Sequence, residues 1–398
     1  MLTLRVLLII WTLFVAGTAA AAPARRTLHV SLYPYIPDAA AAALSLKQGF
    51  EREHPDVVVD ITFNPNYYSP DPADKGVLYE DADVHEIDVV FLDDFVSRRK
   101  LAALPAAFVA GLPAFTPLAE AAATSGGRFV AAPHWMCADF LIYRADRLKL
   151  GPAPTLAELE HALPDGRGLL MDLKGIGALG EFYLSTLTAD APRRADAEAR
   201  ITPEPDPVIL ARIERTLAME PQGFGRNAAY GAREDFYARQ FGRGGGDAFL
   251  GYSELTHDAL DEAQTCRVEE HCVTAGEIGV AAFPFRDGVS RPTVWVDLFG
   301  VDARVHGRRL ADAEAFIRFA VSLPVYRALL IPAAGAPPRY LLPATEAAFA
   351  DPAILQAAPL YPKFKAIMDQ GVVVSTPHLN AALHAVAAQI DKDLPPSH

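Results

Sequence analysis

The sequence predicts an α/β chain folded as two lobes with a ligand cleft between them. Three observations predict it. Apolar strand-like runs alternate with amphipathic helical runs from residue 26 onward. Proline and glycine are spread through all 398 residues, with no long linker and no tandem repeat, so the lobes interleave rather than follow one another. About 370 residues remain beyond an apolar leader, enough for two lobes of ordinary size.

The leader is "MLTLRVLLIIWTLFVAGTAAAAPA". Arg5 precedes an apolar run, Val6 to Val15, and a small-residue tract ends near Ala22-Pro23-Ala24. This is the pattern of a secretory signal over 1–24. The run is shorter than the roughly 20 apolar residues a membrane anchor needs. The expectation is export to a periplasmic or secreted location, with no membrane contact after cleavage. The formal charge is −13 and becomes −14 without Arg5. An acidic surface without a basic stripe disfavours nucleic-acid binding.

Along the chain, "RTLHVSLYPYI" alternates as a strand. A helix follows, with Asp38 placed to cap it, Ala43, Leu46 and Phe50 on one face, and Pro55 after it. "VVVDITF" is the next strand. "IDVVFLDDFV" is a near-continuous apolar run that reads as a doubly buried strand ending in Asp93 and Asp94. "TLAELEHAL", "GEFYLSTLTAD" and "DPVILARIERTLAME" have helical spacing, and "GRGLLMDLKGIG" reads as a strand with a glycine turn. "GEIGVAAFPFRD" and "TVWVDLFGVDA" are strands, and Gly244 to Gly246 form a turn. "ADAEAFIRFAVSLPVYRALL" is a helix broken near Pro324, and "LNAALHAVAAQIDKDL" is a closing amphipathic helix. The expected division is lobe 1 from 25–140 with 290–320 and lobe 2 from 141–289 with 321–398. Such a fold alone points to a solute-binding protein.

Cys266 and Cys272 stand six apart in an exported chain, which suits a local disulfide; zinc with His257 or His271 is the alternative. Cys137, in "AAPHWMCADF", is left over, either a buried hydrophobe or a reactive thiol. Aromatic and acidic residues gather where strands end: Tyr33 and Tyr35, Tyr67 and Tyr68, Asp93 and Asp94, Tyr252 and Glu254, Trp295 and Asp297. Ligands of open α/β sheets lie beyond such ends. Tyrosines supply stacking faces there, and carboxylates accept from amino groups, so a flat, cationic, amine-bearing heterocycle fits. Cys137 and Glu254 suit a nucleophile and its base. No Walker, Gly-x-Ser-x-Gly or His-Glu-x-x-His motif is present.

Six segments in order resemble the thiaminase I (thiamine pyridinylase) family: "VSLYPYIPD", "NPNYYSPDP", "DVVFLDDFV", "APHWMCADFLIYRAD", "GGGDAFLGYSEL" and "VWVDLFGV". The resemblance implies a two-lobed fold like the type II periplasmic binding proteins. It also implies an enzyme that displaces the thiazole of thiamine with an amine or thiol, through a covalent cysteine–pyrimidine adduct. Cys137 falls at the nucleophile, Glu254 at the general base and Asp297 at the acid that holds the aminopyrimidine. Tyr33, Tyr35, Tyr68, Asp93, Tyr252 and Trp295 fall at substrate-binding positions. Trp295 stands for a usual tyrosine, Asp94 for a common aromatic, and "PHWMC" for a usual Pro-Gln-x-x-Cys. No cofactor and no metal is required, and a monomer is expected. The alternative reading is a periplasmic binding protein for thiamine or a related ligand, feeding an importer.

Overall fold

In the computed structural model, residues 25–163, 168–173, 176–191, 193–221, 235–266, 271–289 and 291–394 are described. The expected signal segment, 1–24, lies outside the described residues. Among the described residues no helix is long and apolar enough to cross a membrane.

The strands are β1 (Arg26–Leu32), β2 (Val57–Phe63), β3 (Val84–Asp88), β4 (Thr124–Ser125), β5 (Arg128–Phe129), β6 (Ala132–Arg144), β7 (Leu169–Leu170), β8 (Ala248–Tyr252), β9 (Ile278–Ala282), β10 (Val294–Val301) and β11 (Leu342–Pro343). Nine of them form one mixed sheet in the order β2-β1-β3-β10-β6-β8-β7, with β9 and β11 also paired to β6. β1 runs parallel to β2 and β3, as the strand–helix–strand order predicts. β10 enters antiparallel between β3 and β6, so the sheet is not purely parallel.

β6 is the long strand that unites the halves. Its first part, Ala132 to Ala138, pairs with β10. Its second part, Asp139 to Arg144, pairs with β8 and β9. One hydrophobic core runs from Val30, Phe50, Val84 and Phe316 along β6 to Phe140, Phe241 and Phe249. A second, smaller core takes the alternate β6 residues Leu141 and Tyr143 and packs them with Phe182, Phe283 and Ile390. The partner change falls at Ala138/Asp139, between the two residues that bring chemistry to the cleft.

The helix Ala39–Glu53 buries Ala43, Leu46 and Phe50 as its spacing predicts. Asp38 does not cap it. Its backbone is left-handed, with φ of 53°, and its carboxylate makes no bond to the helix N–H groups; it faces Arg339 at 3.5 Å instead.

The largest correction concerns "IDVVFLDDFV". β3 stops at Asp88, and Val89–Ser97 is a helix. Asp88 is its N-cap, accepting from the Val90 N–H at 2.9 Å. The helix buries Val89, Val90, Phe91, Leu92 and Phe95, so almost no polar face marks its period. Asp93 and Asp94 therefore lie on a helix and not in a loop after a strand.

Helices form at Leu156–Ala162, Ile176–Asp190, Pro207–Leu217 and Leu379–Asp393, and Arg308–Ala320 is separated from Leu323–Leu330 before Pro324. In "GRGLLMDLKGIG" the strand among the described residues is the two residues of β7, and the expected glycine turn at 174–175 lies outside the described residues. The C-terminal stretch makes several packing contacts, those of Leu379–Asp393 including Val89–Ser97. Leu323–Leu330 lies on Ala39–Glu53 and Arg308–Ala320, whereas Leu379–Asp393 lies on Ile176–Asp190. Cys266 and Cys272 form a disulfide, and Cys137 is free.

Phe140 is fully buried at the partner change, with the Phe364 ring 4.7 Å away. Phe140→Ala is expected to cost about 3–5 kcal/mol, read as a lower urea midpoint.

Candidate active site

Three pairs of strand residues set the floor of the cleft. Cys137 of β6 is directly opposite Trp295 of β10. Asp297 of β10 is directly opposite Asp88 of β3. Asp139 of β6 is directly opposite Tyr252 of β8. Directly opposed residues share a sheet face with Cβ atoms about 4.5–5.5 Å apart. Residues two apart on one strand share it too, which joins Cys137 to Asp139 and Trp295 to Asp297.

The loops beyond β1 and β2 wall one side with tyrosines. The Tyr33 hydroxyl lies 3.0 Å from that of Tyr68. Tyr68 donates to Asp88 Oδ2 at 2.5 Å. The ring of Tyr35 stacks on Tyr68, with centroids 5.7 Å apart and planes at 14°. Tyr67 is buried beneath them, donating to the Glu86 carbonyl at 3.0 Å and accepting from the Asp88 N–H at 2.6 Å. This ladder holds Asp88 from two directions. On the other wall, the Tyr252 hydroxyl donates to Glu181 Oε2. Glu254 follows two residues later, at the start of the helix Leu255–Gln264, with the Ser253 hydroxyl 3.2 Å from its Oε2.

The electrostatics of these groups are coupled. Burial raises the Asp88 carboxyl to about 6, against the opposing hydrogen bonds from Tyr68 and Val90. Burial raises Asp297 well above the usual carboxylate range, and Asp88, Glu86 and Glu254 push it further. Two carboxyls facing each other out of water cannot both ionise cheaply, so each raises the cost of charging the other. Burial raises Glu254 to about 7, against bonds from its own backbone and Ser253. Burial alone raises Asp139 to about 7. The Cys137 thiol is pushed well up by burial, then by Glu254, Asp297, Asp88 and Glu181. These groups thus keep a neutral thiol beside a carboxyl poised near neutrality. A cation entering the cleft offsets the negative charges that hold the thiol proton.

The structure brings together most residues picked out in the sequence. Tyr33 has Asp297, Asp88 and Cys137 as electrostatic neighbours. Tyr252 has Glu181, Asp139 and Cys137. Tyr35 and Tyr68 join them through stacking, and Trp295 through its register with Cys137. Asp93 differs. It lies on the helix Val89–Ser97, where its two oxygens accept from Ser125 at 2.7 Å and Ser375 at 2.9 Å. Asp88, not Asp93, is the carboxylate facing Asp297.

Asp88, Asp139 and Glu181 escaped the sequence reading. Asp88 was legible as a helix N-cap had the run after it been read as helical. Asp139 follows Cys137 by two and so shares its face, a signal present in the strand spacing. Glu181 comes from a helix remote in sequence, and nothing local marks it. Among the described residues no group of three or more His, Cys, Asp or Glu side chains is placed to hold a metal ion.

Comparison with known proteins places the fold. No protein-family model matches the chain. Thiaminase-1 of Paenibacillus thiaminolyticus is 27% identical over 385 residues, spanning 93% of this chain and 88% of that protein. The structure of thiaminase I from Bacillus thiaminolyticus superposes with a TM-score of 0.74 at 22% identity, over 93% of this chain and all of that one. That of Clostridium botulinum thiaminase I in complex with thiamin gives 0.72 at 18% identity, over 92% and 100%. Maltose-bound MalE3 of T. maritima gives 0.63 at 18% identity, over 92% and 100%. The fold is therefore the two-lobed one of type II periplasmic binding proteins, and the resemblance to thiaminase I extends over nearly the whole chain.

Two outcomes follow from the ionisations. Iodoacetamide is expected to alkylate Cys137 at pH 8 more slowly than it alkylates free cysteine, and Glu254→Gln is expected to speed that reaction by removing a facing charge. The folded-state carboxyl of Asp139 lies above its ordinary value, so its contribution to stability is present below about pH 4 and is lost as pH rises through about 7. Asp139→Asn should therefore show a smaller fall in Tm between pH 5 and pH 8 than the parent protein.

Proposed function

We propose that this chain is an exported thiamine-degrading transferase that replaces the thiazole of thiamine with an amine or thiol. The observation that carries the proposal is the meeting of Cys137, Glu254 and the Asp88–Asp297 pair in one cleft. The likeness to the Paenibacillus thiaminase-1 over 93% of the chain supports it. The segment 1–24 serves export in this reading.

The pyrimidine is held by the carboxyl pair. The protonated member donates to a ring nitrogen, and the ionised member accepts from the amino group. The tyrosines flank the rings, and the acidic walls favour the thiazolium charge. Glu254 takes the Cys137 proton, and the thiolate bonds to an electron-poor ring carbon while the carboxyl pair lends its proton to the ring nitrogen. The bond between the bridging methylene and the thiazolium nitrogen then breaks, its electron pair leaving with the neutral thiazole. The ring proton returns to the carboxyl pair. Glu254 releases its proton to solvent. The acceptor attacks the methylene and gives its proton to Glu254, with the carboxyl pair again protonating the ring nitrogen. The carbon–sulfur bond breaks, the ring nitrogen returns its proton, and the thiolate recovers a proton from Glu254. One proton is released per turnover.

A binding protein would use the same tyrosines and need neither Cys137 nor Glu254. The deciding experiment incubates the mature protein with thiamine and an aromatic amine and follows products by mass spectrometry. A pyrimidinylmethyl-amine product, lost in Cys137→Ser while thiamine still binds, is expected. Saturable binding without product in the parent protein would mean the cleft serves transport. Glu254→Gln is expected to lower kcat/KM by about 10²–10⁴. In the parent protein kcat/KM should fall as pH drops below about 7, as Glu254 takes up its proton.

A further inference from the structure

Glu86 and His134 are a buried pair that the reaction above does not use. Glu86 lies two residues before Asp88 on β3, and His134 lies three before Cys137 on β6. They are 3% and 1% exposed. Both Glu86 oxygens are engaged: Oε2 accepts from the Tyr33 N–H at 2.9 Å, and Oε1 lies 2.5 Å from His134 Nδ1. The His134 ring is wedged among Trp135, Phe299 and Tyr326, with centroids 4.1, 4.6 and 5.9 Å away. A buried carboxylate is costly unless its oxygens are bonded, and these bonds meet that condition.

The pair reaches the cleft by two routes. One is through the backbone. The Tyr33 N–H is tied to Glu86, while the Tyr33 hydroxyl meets Tyr68, which bonds Asp88. The other is through charge. Asp297 faces Asp88 and Glu86 from β3 and Glu254 from the far wall, and Cys137, Tyr33 and Tyr67 are near it. Glu86 itself faces His134 and Tyr326. A fixed negative charge there favours a protonated carboxyl in the neighbouring pair.

We propose that Glu86, held by His134, is a positioning residue of this site: it anchors the Tyr33 loop beside the nucleophile and supplies the fixed charge next to the Asp88–Asp297 pair. The kinetic consequence rests on the transferase reading, whereas the spectroscopic consequence does not.

The test follows the infrared carbonyl band of a protonated buried carboxyl against pH, with Asp297→Asn identifying the band. Glu86→Gln keeps the side-chain size and removes the charge. Its band is expected to disappear at lower pH than in the parent protein, and its kcat/KM to fall about tenfold or more through loss of orientation. A band that titrates at the same pH in both proteins overturns the proposal, whatever turnover does. If the parent protein turns over no thiamine, the transferase reading fails and the band still decides this inference. Should Glu86→Gln not fold, Glu86→Asp carries the test, since it keeps the charge and loses the reach to Tyr33. It is expected to keep the band near its parent pH and to lose kcat/KM, or thiamine affinity if turnover is absent. Parent values of both would overturn the anchoring role.

Discussion

The backbone pairing of β6 governs everything else in this molecule. One strand of thirteen residues hydrogen-bonds to β10 along its first half and to β8 and β9 along its second. A strand cannot slip by one residue without turning every side chain to the other face, so this double pairing locks the register from both ends. Cys137 and Asp139 straddle the partner change. Their direction into the cleft is a consequence of ladder geometry, before any contact with a ligand is considered.

On that floor the site buries several carboxyls close together, and burial raises the pH at which they ionise. Asp88, Asp297, Glu254 and Glu181 crowd one thiol, and the ionisations of Cys137 and Asp297 are shaped by burial first and by neighbouring carboxyls second. Hydroxyl donors from Tyr68 and Tyr252 make this tolerable, each bonding one carboxylate. In the proposed reaction the field that holds the thiol proton weakens as a cationic ring arrives, which couples activation of the nucleophile to substrate binding.

Likeness to sugar-bound proteins of the same fold shows how little the fold decides by itself. The two-lobed frame brings strand ends from both halves to one cleft. Whether that cleft holds a solute or opens a bond depends on the side chains facing it. Here a thiol, a carboxyl raised to about 7 and a pair of facing carboxyls stand together.

The α/β class, the helix Ala39–Glu53 and the break before Pro324 were determined by the sequence, which also suited a Cys266–Cys272 bridge while leaving zinc open; Tyr33, Tyr68, Cys137, Glu254 and Asp297 were singled out by strand-end position and by the family resemblance. Local periodicity, proline geometry and strand-end chemistry act over a few residues, where sequence is legible. The end of β3 was not. A helix buried on nearly all sides carries no polar stripe, so Val89–Ser97 looked like a strand and the cleft carboxylate was sought at Asp93 rather than Asp88. Tertiary structure alone decided that Asp88 faces Asp297, that Glu181 reaches Tyr252 and that His134 meets Glu86. These pairings join residues from 48 to 209 positions apart. Strand order and helix packing set such contacts, and no local pattern in the chain encodes them.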